Sequence, residues 1–116
     1  MLKKNYEFKY VLKKGKFYPG KFIDIIICKN NMNFNLLGIS ISKKTANSVQ
    51  RNRFKRLVRE NYRSFENEIL DGKSMIILCK KNIQIEDIKY AEIREDFARI
   101  LKKANMYKEE NKWKKY

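Results

Sequence analysis

A dense run of Arg, Lys and Asn residues in the middle of the chain is the part of the sequence best suited to chemistry with another molecule. No Asp or Glu occurs between residues 43 and 59. Arg presents a planar fork that fits phosphate, and Asn can donate to phosphate or contact a base edge. The run therefore predicts a surface that binds a polyanion. Its candidate binding residues are Lys43, Lys44, Arg51, Asn52, Arg53, Lys55, Arg56, Arg59 and Arg63.

Residues for protein-borne catalysis are scarce. The chain has no His and only two Cys, at positions 28 and 79, which excludes His-based triads, zinc fingers and His-ligated metals. A self-sufficient metal-dependent nuclease stays a minor hypothesis, because it needs two or more carboxylates converging on one site and the basic run contains none. We therefore predict no catalytic residue, no metal site and no cofactor bound by the protein itself.

The net charge supports a polyanionic partner. Among 116 residues, 28 Lys and Arg stand against 13 Asp and Glu, which leaves +15. Such a charge repels itself unless a polyanion screens it, and nucleic acid and anionic membrane are the two candidates. The basic residues run through the whole chain rather than along one long amphipathic helix, which favours nucleic acid over a membrane surface. A proteome rich in Lys would explain scattered lysines, but not the cluster.

The basic run lies on a predicted helix that spans residues 48–65. At 100° per residue its apolar residues, Phe54, Leu57, Val58 and Phe65, share one arc of about 100°. Most of its Arg, Lys and Asn residues fall in a second arc on the other side. Charge runs are usually solvated helix faces, but an ordinary exposed face interleaves acids with its bases. The absence of acids favours a face that an external partner neutralises.

The other elements predict one α+β domain, a two-layer sandwich in the order helix–strand–strand–helix–strand–helix, with a third strand before the central helix as an alternative. A first helix covers 5–14 and ends at Gly15, a turn covers 17–20, and a last helix covers 87–106. Strands are predicted at 22–28, 34–42 and 74–79, with a polar hairpin connection at 29–33. We expect a single domain over 1–106 and a flexible basic tail over 107–116.

Four polar residues outside the basic run receive structural predictions. Cys28 and Cys79 end apolar strands and are expected to be buried free thiols. Asp24, inside an Ile-rich strand, is expected on the sheet surface, paired with Lys or Arg. Asp96 belongs to a set of acids along the last helix that indicates ordinary solvation and capping.

Two stretches of the sequence resemble the protein subunit of bacterial ribonuclease P. The family carries a strand end of the form G-x-S/x-V-S-K-K, followed by R-N-R-x-K-R-x-x-R-E. The resemblance extends to Phe8 near the N-terminus and to the closing helix, so that it covers most of the chain. The matching stretches here are Gly38-Ile-Ser-Ile-Ser-Lys-Lys44 and Arg51-Asn52-Arg53-Phe-Lys55-Arg56-Leu-Val-Arg59-Glu60.

The resemblance implies a function that composition and periodicity do not show. Members are non-catalytic protein subunits of an endoribonuclease whose RNA cleaves the 5′ leader from precursor tRNA. They have a left-handed β-α-β crossover around the R-N-R helix, against the usual right-handed rule. The R-N-R region contacts the catalytic RNA, and the single-stranded leader lies in a cleft between the first helix and the sheet. The implied partners are ribonuclease P RNA and precursor tRNA, with no membrane and no DNA, in the cytoplasm.

The resemblance also implies residues for the leader cleft. Phe8 matches a cleft aromatic, whereas Leu12 and Ile25 fall where many members carry further aromatics. Phe22 is a further candidate, and core packing stays an alternative for Phe8 and Phe22. The Mg²⁺ that the reaction requires is expected to bind the partner RNA. A small ribosomal protein of similar fold and charge stays the second hypothesis, since it would bind RNA without preferring a 5′ leader.

Overall fold

A computed structural model describes residues 2, 5–42, 44, 46–81 and 83–108 of the chain. These residues form three helices and four strands, with a short 3₁₀ turn before the last helix. The elements are α1 (Asn5–Lys14), β1 (Lys16–Pro19), β2 (Ile23–Lys29), β3 (Leu36–Ser40), α2 (Ser48–Phe65), β4 (Lys73–Cys79), the 3₁₀ turn (Ile85–Asp87) and α3 (Tyr90–Lys103). The predicted α+β class is confirmed. Among the described residues, no helix has the length and apolar character needed to cross a membrane.

The four strands form one sheet in the order β1-β2-β4-β3. β2 pairs antiparallel with β1 and with β4, whereas β3 pairs with β4 in parallel. The predicted hairpin connection at 29–33 is therefore wrong, because β2 and β3 are not neighbours. The hairpin forms instead between β1 and β2, and β1 occupies most of the segment 17–20 that was predicted as a turn. Four consecutive residues of β2, from Ile25 to Cys28, are buried, which suits a central strand with a partner on either side.

The two faces of the sheet pack against different helices. Odd-numbered residues of β2 and β4, such as Ile25 and Ile77, face a core built with α2 and α3. Even-numbered residues, such as Ile26 and Ile76, face α1, which buries Val11 against them. The predicted two-layer sandwich thus describes the α2 and α3 side, and α1 adds partial cover to the other face. This alternation decides which strand residues can reach a partner on the α1 side.

α1 approaches the sheet closely at Gly38. A Cβ atom placed on Gly38 would lie 2.8 Å from the Phe8 ring and 3.0 Å from Leu2. Any side chain at this position would push α1 away from β3. The N-terminal segment is held at the same place, because the backbone N–H of Leu2 donates to the Leu37 carbonyl at 3.0 Å.

Asp96 holds the turn between β1 and β2 and is not the solvated acid that the sequence predicted. Its carboxylate is 1% exposed. Oδ1 accepts from the backbone N–H of Lys21 at 3.1 Å, and Oδ2 accepts from those of Phe22 at 2.7 Å and Ile23 at 3.0 Å. The carboxylate thereby supplies acceptors for backbone N–H groups that have no backbone acceptor in the tight turn. It also fastens α3 to the hairpin.

The other predictions for single residues have mixed outcomes. Asp24 pairs with Lys80, whose Nζ lies 2.8 Å from Oδ1, as predicted. Cys28 is a buried free thiol, and Cys79 is free but only partly buried. Tyr107, predicted to begin a flexible tail, instead pairs with Ile69 and packs its ring 6.4 Å from that of Phe65. The fold thus extends to residue 108, and the rest of the predicted tail lies outside the described residues.

Candidate nucleic-acid interface

The N-terminus of α2 is fixed by a reciprocal cap directly after the basic loop. The Asn47 side chain accepts from the backbone N–H of Gln50 at 2.8 Å, and the Gln50 side chain accepts from that of Asn47 at 3.0 Å. This capping box sets where the helix begins and how its faces are oriented. The first turn contains no acid. The partial positive charge of the helix N-terminus is therefore not offset within that turn.

The outer surface of α2 carries a continuous set of basic and polar side chains, here called the α2 basic face. Lys55 is partly buried and the other members are exposed. Within the residues that the structure describes, no carboxylate lies at ion-pair distance from any of them. An exposed cationic surface without internal partners suits the phosphates of RNA. The members of the α2 basic face are Asn52, Lys55, Arg56, Arg59 and Arg63.

Arg51 and Arg53 are used differently from the rest of the predicted set. Arg53 donates to the carbonyls of Ile85 at 3.4 Å and Ile88 at 2.6 Å, and so ties α2 to the 3₁₀ turn. Its RNA contact stays a prediction, and the structure shows in addition that the guanidinium is bonded to the protein. Arg51 donates to the Ala46 carbonyl at 3.2 Å and stays partly exposed beside the capped turn.

The two predicted lysines before α2 lie in the loop that follows β3. Lys44 is exposed, and its backbone N–H donates to the Ser42 hydroxyl at 3.1 Å. Lys43 falls outside the described residues. The loop therefore contributes at least one exposed cation next to the end of β3.

A second surface lies at the ends of β3 and β4, beside the face of the sheet that α1 covers, and is here called the α1–sheet cleft. Its pocket has a volume of about 540 Å³. Phe8 packs on the same apolar cluster as Leu78, which lines the pocket, and Leu12 follows one helical turn later with 51% exposure. The pocket is lined by Asp24, Ser40, Ile41, Ser42, Leu78, Cys79, Lys80 and Lys81.

Two of the four residues predicted for the leader cleft are not in it. Ile25 is fully buried and packs towards α2 and α3, and Phe22 packs against that same core. Phe22 precedes β2 and turns towards this core, outside the alternation of the strand. The assignment of Ile25 disregards the alternation of strand residues between faces. Asp24 is the signal in the sequence that could have excluded Ile25. A carboxylate in an Ile-rich strand avoids the closed core, which places the even-numbered residues of β2 on the open face. Ile26 is the β2 residue that faces α1.

Phe17 is an aromatic residue on the α1 side of the sheet that the sequence did not place. It pairs with Ile26 across the β1–β2 ladder, so both side chains project towards the α1 side. Its side chain is 52% exposed, whereas Ile26 is buried. The α1 side of the sheet therefore carries an exposed ring from β1 in addition to the partly buried ring of Phe8 from α1.

The cleft contains no group poised for covalent chemistry among the residues that the structure describes. Partial burial raises the pKa of the Cys79 thiol to about 11, so it stays protonated and weakly nucleophilic at neutral pH. In the described part of the chain, no three His, Cys, Asp or Glu residues lie close enough together to hold a metal ion. The chemistry available here is hydrogen bonding, ion pairing and stacking.

Comparisons with known proteins identify the family. The family model described as Ribonuclease P matches residues 1–105. The ribonuclease P protein component of Clostridium botulinum is 37% identical over 107 residues, which cover 91% of this chain and 95% of that protein. That of Natranaerobius thermophilus is 37% identical over 105 residues and covers 90% of each chain.

Solved structures of the same family share the fold. The Staphylococcus aureus RNase P protein superposes with a TM-score of 0.80 at 31% identity, covering 92% of this chain and 96% of that one. The Thermotoga maritima RNase P protein gives a TM-score of 0.79 at 27% identity, covering 88% and 94%. The chain belongs to the ribonuclease P protein family, and it is a protein component of the ribonuclease P endoribonuclease, whose partner is the ribonuclease P RNA.

Proposed function

We propose that the protein docks on the ribonuclease P RNA through the α2 basic face and holds the 5′ leader of precursor tRNA in the α1–sheet cleft. The observation that carries the proposal is the placement of these two surfaces on opposite sides of one sheet. α2 packs on the odd-numbered face, and the cleft opens on the even-numbered face. A protein built in this way can contact two RNA segments at once.

The cleft has the chemistry for an unpaired strand. Phe17 and Phe8 offer ring surface for bases, and base–aromatic stacking contributes about 1–3 kcal/mol per base. Lys81 is exposed at the rim, whereas Lys80 is partly held by Asp24. Ser40 and Ser42 leave room for close approach of a nucleic-acid backbone. This combination recognises a single strand with little dependence on its sequence.

The contribution to the reaction is electrostatic in this proposal. Cations between two RNA segments reduce their mutual repulsion, which raises substrate affinity and lowers the Mg²⁺ concentration that the RNA requires. The Mg²⁺ ions bind the RNA, which performs the cleavage, and no cofactor is assigned to the protein. The proposed place of action is the cytoplasm.

Reconstitution tests this function. The protein is combined with a bacterial ribonuclease P RNA and 5′-labelled precursor tRNA at a Mg²⁺ concentration too low for the RNA alone. We expect leader release only when protein and RNA are both present, and weaker binding of mature tRNA than of precursor. Cleavage by the protein alone would support the nuclease hypothesis. Equal affinity for mature and precursor tRNA would contradict leader binding.

A further inference from the structure

A second groove lies on the sheet face that carries the α1–sheet cleft, but on the other side of α1. It has a volume of about 570 Å³, and we call it the Tyr6–Tyr10 groove. These two tyrosines from α1 are 66% and 57% exposed, and Met32 from the loop after β2 is 51% exposed. The groove is lined by Leu2, Tyr6, Glu7, Tyr10, Val11, Lys29, Asn30, Met32, Leu36 and Ser74.

The groove is held in shape by its own contacts. The Asn30 side chain donates to the Ser74 hydroxyl at 3.1 Å and accepts from the backbone N–H of Met32 at 2.9 Å. The backbone N–H of Asn30 donates to the Gly72 carbonyl at 2.8 Å. These bonds fix the loop after β2 against the start of β4, so that one wall of the groove is built before any partner arrives.

The charge around the groove selects an anionic occupant. Lys9 and Lys13 are exposed on the adjoining outer face of α1, and Glu7 is the acid among the lining residues. A second copy of this chain is disfavoured as occupant, since each copy carries +15. Exposed tyrosines beside lysines suit the bases and phosphates of an unpaired RNA strand.

The position of the groove points to the substrate rather than to the catalytic RNA. The α1–sheet cleft lies at Leu78 and the groove at Ser74 of the same strand, about 13 Å apart at 3.3 Å per residue. α1 runs between them and presents Lys9 and Lys13 outward, both exposed. The α2 basic face lies on the other side of the sheet. A strand that leaves the cleft therefore meets cations over α1 and then the groove.

We propose that the Tyr6–Tyr10 groove binds the distal part of a long 5′ leader, after the strand has crossed the outer face of α1. The inference rests on the proposed function of the cleft and extends it to a second substrate site. Tyr6 and Tyr10 stack on unpaired bases, and Lys9 and Lys13 on the outer face of α1 pair with phosphates of the crossing strand. Precursors with long leaders therefore bind more tightly than those whose leaders end within the cleft.

The test measures affinity for a series of precursor tRNAs whose leaders lengthen one nucleotide at a time, with the reconstituted holoenzyme. The variant is the double substitution Tyr6→Ala and Tyr10→Ala, and the control is Tyr90→Ala, an exposed tyrosine on the α2 and α3 side. We expect the extra affinity for long leaders to fall about tenfold per lost stack in the double variant. Affinity for short leaders and the behaviour of the control should not change.

The outcomes separate the two proposals. An undiminished long-leader advantage in the double variant would overturn the groove as a leader site and leave the cleft intact. No preference for any leader over mature tRNA would remove the proposed function of the cleft itself. Tyr6→Phe with Tyr10→Phe keeps both ring surfaces and should restore the long-leader affinity. Failure of this rescue while α1 stays folded by circular dichroism would also count against stacking.

Discussion

Two arginines of the same motif have different tasks, as their side-chain contacts show. Arg53 donates hydrogen bonds to the Ile85 and Ile88 carbonyls, whereas Arg56 is exposed on the α2 basic face. Both occur in the same run of basic residues, and one helix carries both. Only their angle around α2 decides which of them faces protein and which faces solvent.

Alanine substitution at each arginine should therefore affect different measurements. Arg53→Ala removes the side-chain donor of the Ile88 carbonyl and one of the two donors of the Ile85 carbonyl, and should lower the free energy of unfolding by about 1–3 kcal/mol in urea titrations. Arg56→Ala should leave stability within about 0.5 kcal/mol and reduce the salt slope of RNA binding by about 0.7–0.9. The reverse pattern would show that the two side chains have been assigned to the wrong surfaces.

Asp96 is the residue whose substitution should be most costly outside the apolar core. Asp96→Ala leaves three backbone N–H groups of the β1–β2 turn without acceptors and should reduce the free energy of unfolding by about 3 kcal/mol or more. Glu95→Ala is the matched control, because Glu95 is exposed on the same helix and should change stability by less than about 0.5 kcal/mol. Chemical denaturation measures both, and equal effects would contradict the role of Asp96.

At the scale of elements, the contact between α1 and β3 sets the width of the α1–sheet cleft. The Phe8 ring lies directly over Gly38, so the helix can come no closer and cannot tolerate a side chain there. The position of α1 therefore depends on one glycine of β3. The neighbouring residues Leu37 and Ile39 face the opposite side of the sheet. The leader binding that we propose would therefore depend on the same contact as the packing of α1 on the sheet.

Gly38→Ala tests this coupling. The added methyl group would overlap the Phe8 ring, and we expect a loss of about 1–3 kcal/mol in stability together with weaker leader binding. In the background Phe8→Ala, the same substitution should cost less, because the overlapping ring is absent. A double-mutant cycle on urea unfolding measures this difference. Additive effects would mean that the two residues are not in contact.

The helices were predictable from the sequence because their signals are local. α2 begins and ends at the predicted residues 48 and 65, since a cap precedes it and a clear apolar arc runs along it. α1 likewise spans the predicted 5–14. α3 is shorter than the predicted 87–106, because the 3₁₀ turn occupies its expected first residues.

Strand pairing was less predictable because it depends on residues far apart in the chain. β3 pairs with β4 across the whole of α2, and nothing local in 34–42 distinguishes that from a hairpin with β2. The same limit applied to the cleft, where Phe8 and Leu12 were assigned to the correct side of the sheet but Ile25 was assigned to the wrong face. The left-handed path of the β3-α2-β4 connection stays a prediction from the resemblance.

At the scale of the whole molecule, a charge of +15 on 116 residues makes the folded state sensitive to ionic strength. Only two ion pairs are formed by side chains within the described ranges, Lys80 with Asp24 and Arg99 with Asp96. Most cationic side chains of the described residues therefore repel one another and form no ion pair with a carboxylate that would offset the repulsion. Compaction brings them closer together than they are in the unfolded chain.

Screening should consequently stabilise the free protein. Raising KCl from about 0.01 M to 0.15 M shortens the Debye length from about 30 Å to about 8 Å. We expect Tm to rise, by about 4–8 °C for each kcal/mol of repulsion that is removed. Differential scanning fluorimetry measures it, and the variant Lys9→Gln with Lys13→Gln should respond less. An unchanged or falling Tm would show that the surface charges are too far apart to destabilise the fold.

The order of the strands has a consequence for how the chain folds as it is synthesised. β4 lies between β2 and β3, yet it is the last strand made and follows the whole of α2. Until residue 79 has left the ribosome, the Ile-rich edge of β2 has no partner on that side. About two thirds of the chain is therefore synthesised before the sheet can be completed, and its apolar residues are exposed during that interval. The many lysines repel neighbouring nascent chains and so oppose their association.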